Sequence, residues 1–275
     1  MTRFTPRIHL LLARAAPAGL VIRRGPSNHV ATILWDRHKD TFQLGQWLKG
    51  RIYERRSDLS FDGKYLIYFA MNGKWNSPSK GSWTAISHAP YLKAIAFFPK
   101  GDCWQGGGLW TDKGKYWLNG VNGHQIACDT TRVRRDREYQ PSPDFGGECR
   151  GVYYHRLLRD GWNFVTRSSI GKCNTIDIFE KGLGRGWTLR KMAHAEVDAP
   201  VGKGCYWDEH ELVGPAPGQI VPCPTWEWAD LDGKRLVWAA NGKLHAAKVS
   251  KDGVADEVEL YDFNPMTFEA IEAPY

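Results

Sequence analysis

Two arginine-rich stretches carry the side chains best suited to gripping an anion. Lys49-Gly-Arg-Ile-Tyr-Glu-Arg-Arg56 packs four cations, one glutamate and one tyrosine into eight residues. The planar guanidinium of arginine makes bidentate contacts with carboxylate and phosphate, so this stretch could hold an acidic loop or a phosphate. Arg132-Val-Arg-Arg-Asp-Arg137 is the second, and Glu138-Tyr-Gln-Pro-Ser-Pro143 follows it directly. The candidate partner-binding residues are therefore Lys49, Arg51, Tyr53, Arg55 and Arg56, with Arg132, Arg134, Arg135 and Arg137. Each stretch has a plainer reading. The first could be a solvated connection whose arginines pair with Glu54 and Asp58, the second an exposed polar loop. The aromatic-interleaved basic groove of a single-strand binder is not evident in the linear order.

Other chemistry-bearing residues form no set. Gly106-Gly-Gly-Leu-Trp110 lacks the Gly-Lys-Ser/Thr ending of a phosphate loop and opens no evident helix; it reads as backbone freedom beside Trp104 and Trp110. Cys205-Tyr-Trp-Asp-Glu-His-Glu211 offers metal-type ligands, but strand neighbours alternate faces, and no second ligand group stands at a recognisable spacing. Asp36, Glu54, Asp102, Asp177 and Glu209 are available carboxylates for acid–base work, and no Gly-x-Ser-x-Gly elbow is present. No catalytic residue, metal ligand or cofactor site is expected.

Strands must carry these side chains. The chain has 275 residues with 13 Trp, 11 Tyr and 11 Phe, punctuated by 29 Gly and 15 Pro. That balance suits many short strands joined by tight turns, so the fold class is all-β. Asp58-Leu-Ser-Phe-Asp-Gly-Lys-Tyr-Leu-Ile-Tyr-Phe-Ala70 and Trp228-Ala-Asp-Leu-Asp-Gly-Lys-Arg-Leu-Val-Trp-Ala-Ala240 each read as strand, Asp-Gly-Lys turn, strand. Their glycines, Gly63 and Gly233, are 170 residues apart, which suits four pitches of a propeller blade of about 40–45 residues. Similar turns at Gly114 and Gly161 break that distance into 51, 47 and 72 residues. Ahead of them, Ile8–Arg14, Gly19–Arg24, His29–Asp36 and Thr41–Leu48 read as four strands. The expected units are 7–50, 52–92, 93–140, 150–195 and 205–249, in a single propeller domain over residues 1–275. Five blades are favoured. Six blades, or a pair of β-sandwiches, are the alternatives. The long last interval predicts a loop-rich insertion near 196–224, and Val258–Phe263 is left over as a strand that could complete a blade at ring closure.

The Asp58–Ala70 and Trp226–Trp238 segments resemble the repeat of TolB-type (WD40-like) propellers, whose blades carry a Ser/Pro-Pro-Asp-Gly-Lys turn before an apolar strand. The proline before Asp is Phe61 in one copy and Leu231 in the other. The match covers about 13 residues twice. It implies a propeller and carries over no functional residue, because Asp caps the turn and Gly accepts positive φ. The layout is also similar to bacterial propeller proteins of this size. Five-bladed propellers include glycosidases with carboxylates around the axis, but no Asp-Pro-Asn-Gly-like signature of the invertase type occurs here.

Charge is uneven along the chain. Residues 252–275 hold Asp252, Asp256, Glu257, Glu259, Asp262, Glu269 and Glu272 with no Lys or Arg, so the formal +7 becomes +14 over the preceding 251 residues. That suits an acidic partner, or an acidic segment lying on a basic body. Six dispersed cysteines without a CxxC pair fit reduced thiols. Arg14 interrupts the apolar run Leu10–Ala13, which argues against a signal peptide, and no membrane span is expected. The expectation is a cytoplasmic, non-catalytic propeller that binds a macromolecule, foremost a protein with an acidic surface, as an assembly subunit or immunity-type inhibitor. A glycosidase-like propeller hydrolase and a nucleic-acid binder are the alternatives.

Overall fold

Runs of β-branched and aromatic residues between Asp-Gly and Gly-Pro turns produce strands of the expected length. The computed structural model describes residues 5–26, 28–120, 124–171 and 173–275. The chain is all-β, and its five sheets are the blades of a five-bladed β-propeller. The first sheet runs β1 (Arg7–Leu12), β2 (Ala18–Arg24), β3 (His29–Asp36), β4 (Thr41–Lys49). The second contains β5 (Arg51–Ile52), β6 (Asp58–Leu59), β7 (Tyr65–Met71), β8 (Ser82–His88) and β9 (Ala94–Pro99), with β5 and β6 both pairing β7. The third is β10 (Gly108–Asp112), β11 (Lys115–Leu118) and β12 (Arg134–Arg135). After helix α1 (Arg150–Arg159) comes the fourth sheet, β13 (Asn163–Ile170), β14 (Asn174–Gly184), β15 (Trp187–Ala195), β16 (Tyr206–Val213) and β17 (Ile220–Pro222). The fifth is β18 (Trp226–Asp232), β19 (Arg235–Ala240), β20 (Lys243–Ser250), β21 (Gly253–Asp262). No helix among the described residues is long and apolar enough to cross a membrane.

The two Asp-Gly-Lys turns open the β6–β7 and β18–β19 hairpins, in the second and fifth sheets. Asp62 accepts hydrogen bonds from Ser60 Oγ at 2.7 Å and Lys64 N at 3.1 Å, while Gly63 sits at φ +74°. Elsewhere the boundaries differ from expectation. Ala94–Pro99 is the outer strand of the second sheet, not the start of the third. The 196–224 segment is mostly loop and turn, but it also contains β16 and β17, the last two strands of the fourth sheet. Pro222 fits there because β17 is an edge strand that needs no donor on its outer side. Residues 150–159 form a helix: Val152, Tyr153, Arg156 and Leu157 recur at helical spacing and are all buried. Val258–Phe263 falls largely within β21, which pairs β20 and belongs to the fifth sheet.

The chain divides into two compact units. One contains His9–Arg156 and Met266–Tyr275. In it, successive residues of β7 serve two cores, because side chains alternate faces. Leu66, Tyr68 and Ala70 pack with Leu20, Ile22 and Val30 of the first sheet. Ile67 packs with Phe98, Trp110, Tyr116 and Leu118 toward the third. The other unit contains Thr5–Ile8 and Leu157–Pro265. Its fourth sheet buries Asp177, Lys191, Asp208 and His210, with Lys191 Nζ 3.0 Å from His210 Nε2, 3.7 Å from Asp208 and 4.7 Å from the Trp162 ring centre. In its fifth sheet the acidic strand β21 lies on basic β20. Lys243 meets Glu259 at 2.7 Å, Lys248 meets Asp256 at 3.0 Å, and His245 meets Glu257 at 3.1 Å. Part of the charge asymmetry is therefore neutralised between neighbouring strands.

Candidate functional site

The Arg132–Arg137 stretch is stapled to the third sheet. Val133 is buried in the core, and β12 runs parallel to β11, with Arg134 N donating to Gly114 O and Asp136 N to Tyr116 O, both at 2.7 Å. Asp136 then turns the chain. Its carboxylate accepts from Thr111 Oγ1 at 2.7 Å and from the backbone N–H of Glu138 and Tyr139 at 3.1 Å. The Thr111 hydrogen bond, aided by those two amides, holds its carboxyl below the usual range. This turn swings Tyr139 against Trp117 of β11, with ring centres 5.6 Å apart and planes at 59°. Trp117 is in turn backed by Leu109 and Val152.

The result is a cleft of about 480 Å³ lined by Trp117, Arg135, Asp136, Arg137, Tyr139, Gln140 and Pro141. Arg135 Nη2 is buried there with no hydrogen-bond partner. Among the described residues neither Arg135 nor Arg137 makes an ion pair or a side-chain hydrogen bond. A buried donor left unmade costs about 1–3 kcal/mol. Arg132 lies outside it, donating to His88 Nε2 at 2.6 Å; burial and then the Arg132 charge push the His88 imidazole below its usual pKa. Arg134 is exposed.

The Lys49–Arg56 stretch is arranged differently. Lys49 and Arg51 are exposed, with Lys49 Nζ 5.6 Å from the Phe268 ring centre and the Arg51 guanidinium 4.4 Å from that of Tyr53. Tyr53 packs on Phe69 at 5.3 Å. Arg55 pairs with Glu54 at 3.8 Å, and its side chain is only 12% exposed. Arg56 is buried, donating to the carbonyls of Cys103 and Gln105, to Glu148 and to Cys149 Sγ. Two of these four cations are thus structural. Glu54 is the hub of that interior: Arg24 lies 3.3 Å away, and Arg156 donates to the Glu54 carbonyl while reaching His9 Nε2 at 3.0 Å.

The other candidate carboxylates are already engaged. Asp36 caps the turn to His38 and Lys39, and Asp102 meets Lys100 at 2.8 Å. Asp177 meets Arg167 at 2.6 Å, and Glu209 lies 3.4 Å from His194. In Cys205–Glu211, Asp208 and His210 are buried while Glu209 is exposed, and no three or more His, Cys, Asp or Glu among the described residues are grouped as metal ligands. Trp117 and Tyr139 escaped the sequence reading. Tyr139 had one signal, its place just beyond the arginines inside a polar, proline-bearing run, and Trp117 had none.

No protein-family model and no curated protein matches this chain. Among solved structures, the crystal structure of the GH43 BlXynB protein from Bacillus licheniformis is similar at 10% identity and a TM-score of 0.28, over 98% of this chain. The chain spans 60% of the length of that structure, and a likeness this weak carries nothing about activity.

Proposed function

We propose that the chain is a non-catalytic β-propeller that binds a protein partner, whose acidic side chains enter the cleft of the third sheet. The observation that carries this reading is the pair of guanidinium groups, Arg135 and Arg137, standing beside two aromatic rings with no carboxylate of their own. Arginine and aromatic side chains are the residue types that dominate protein-binding energy. The engaged state of Asp36, Glu54, Asp102, Asp177 and Glu209 also favours a binder over an enzyme. The two Asp-Gly-Lys hairpins, with their resemblance to TolB-type blades, suit a rigid platform. Six free thiols suit a reducing, cytoplasmic setting.

The test is fluorescence anisotropy with a short labelled peptide rich in Asp and Glu, against its Asn/Gln counterpart. The acidic peptide should bind and the amide version should not, and the double substitution Arg135→Gln with Arg137→Gln should abolish the difference. Equal binding of both peptides, or undiminished binding by the double variant, would sink the reading. So would turnover of aryl glycosides or esters by the purified chain.

A further inference from the structure

The cleft is more selective than its charge alone requires. Its volume of about 480 Å³ lies in the range that encloses a small ligand, about 300–1,000 Å³, and is far too small for a folded surface. It can take the side chains of about two residues. Its polar and apolar parts are separate: the guanidinium of half-buried Arg135 lines it, Arg137 stands at the exposed rim, and Trp117 with Tyr139 forms a bent wall. With planes at 59°, those two rings would meet an inserted ring face-on on one side and edge-on on the other, the two favoured aromatic geometries. Pro141 adds apolar surface at the lip.

The lining also holds a charge of opposite sign. Asp136 lies between the two arginines in sequence, and its carboxylate is held by three donors, Thr111 and the amides of Glu138 and Tyr139. Acceptance from all three marks it as a fixed negative charge. The two arginines outweigh Asp136, so the lining keeps a net positive charge that attracts an anion.

We infer that the cleft reads one acidic residue directly beside one aromatic residue on the partner, the carboxylate going to Arg135 and the ring to Trp117 and Tyr139. This rests on the acidic-partner reading and narrows it. The experiment uses labelled peptides in a Gly/Ser background carrying Glu–Phe, Glu–Ala or Gln–Phe, titrated with the full chain. Glu–Phe should bind tightest. Loss of the ring should weaken binding about ten-fold, and loss of the charge about ten-fold or more. In Arg135→Gln the Glu/Gln difference should vanish while the Phe/Ala difference remains. Because the ring is varied on the peptide, Trp117 stays intact and folding is not at issue. Equal affinity for Glu–Phe and Glu–Ala would overturn the inference and leave the acidic-partner reading standing. Failure of every acidic peptide would remove both.

Discussion

Glu54 shows how one residue can be mistaken for a surface charge and yet organise the interior. Burial pushes its carboxyl up, but the combined fields of Arg24, Arg55, His9 and Arg51 outweigh that and hold it at about 2, below the ordinary 4.5. A carboxyl depressed in the fold contributes stability that is fully present above its unfolded value and is lost as pH falls toward the folded one. The window here runs from about 4.5 down to about 2. Glu54→Gln should therefore cost on the order of 3 kcal/mol at pH 7, and the gap between wild type and variant should close as the pH approaches 2. Urea unfolding at pH 7, 5 and 3 reads this directly. A gap that stays constant across that range would mean the carboxylate is not the source of the effect. His9 adds to the same field, and its Nε2 contact with Arg156 links β1 to α1 through a polar interior that apolar periodicity could not announce.

At the scale of elements, the Gly106–Gly108 run is a close approach of backbone to backbone. Gly107 has φ +76°, donates to Thr84 Oγ1 at 2.8 Å, and a Cβ placed on it would lie 1.8 Å from the Arg56 carbonyl oxygen. Strain and clash act together there, so Gly107→Ala should cost about 3 kcal/mol or more. Gly114, at φ +65° with nothing within 4 Å, should cost only about 1 kcal/mol on the same change. Thermal melts of the two variants make the comparison, and equal shifts would refute the close-approach account. Elements bounded by local turn chemistry were legible: β2, β3 and β4 fall within a residue of expectation because Gly25-Pro26 and the Asp36–Asp40 turn punctuate them. Elements whose evidence is tertiary were not. Pro and Gly hid β16 and β17, and Tyr153-Tyr154 hid a helix behind strand-like residues. Arg56 read as solvated because its partners lie 47 to 93 residues away in sequence. The cleft was half legible: its arginines stood out, but Trp117 joins them only through the parallel pairing of β11 with β12.

For the molecule as a whole, the formal +7 overstates the surface that a polyanion could touch. Arg23, Arg56, Arg156 and Lys191 are 5% exposed or less, so none can contact a phosphate backbone. Lys243 and Lys248 are occupied by the acidic strand beside them. A nucleic-acid binder draws its affinity from phosphate contacts that release counterions, and log K falls with log salt by about 0.7 per contact for single strands. With Arg55 and Arg56 turned inward, the Lys49–Arg56 segment presents only Lys49 and Arg51 as exposed cations. The Arg132–Arg137 segment presents Arg132, Arg134 and Arg137, so either segment alone offers two or three contacts. The expected slope for a labelled oligothymidylate is therefore shallow, about three contacts or fewer, and binding should be weak at physiological salt. The acidic peptide should instead keep measurable affinity there, because ring contacts in the cleft are not screened. An oligonucleotide that binds with a slope of four or more contacts would require a continuous basic surface and would return nucleic acid to the front. A peptide whose affinity collapses with salt to the same degree as the oligonucleotide would show that Trp117 and Tyr139 contribute nothing, and that the cleft acts by charge alone.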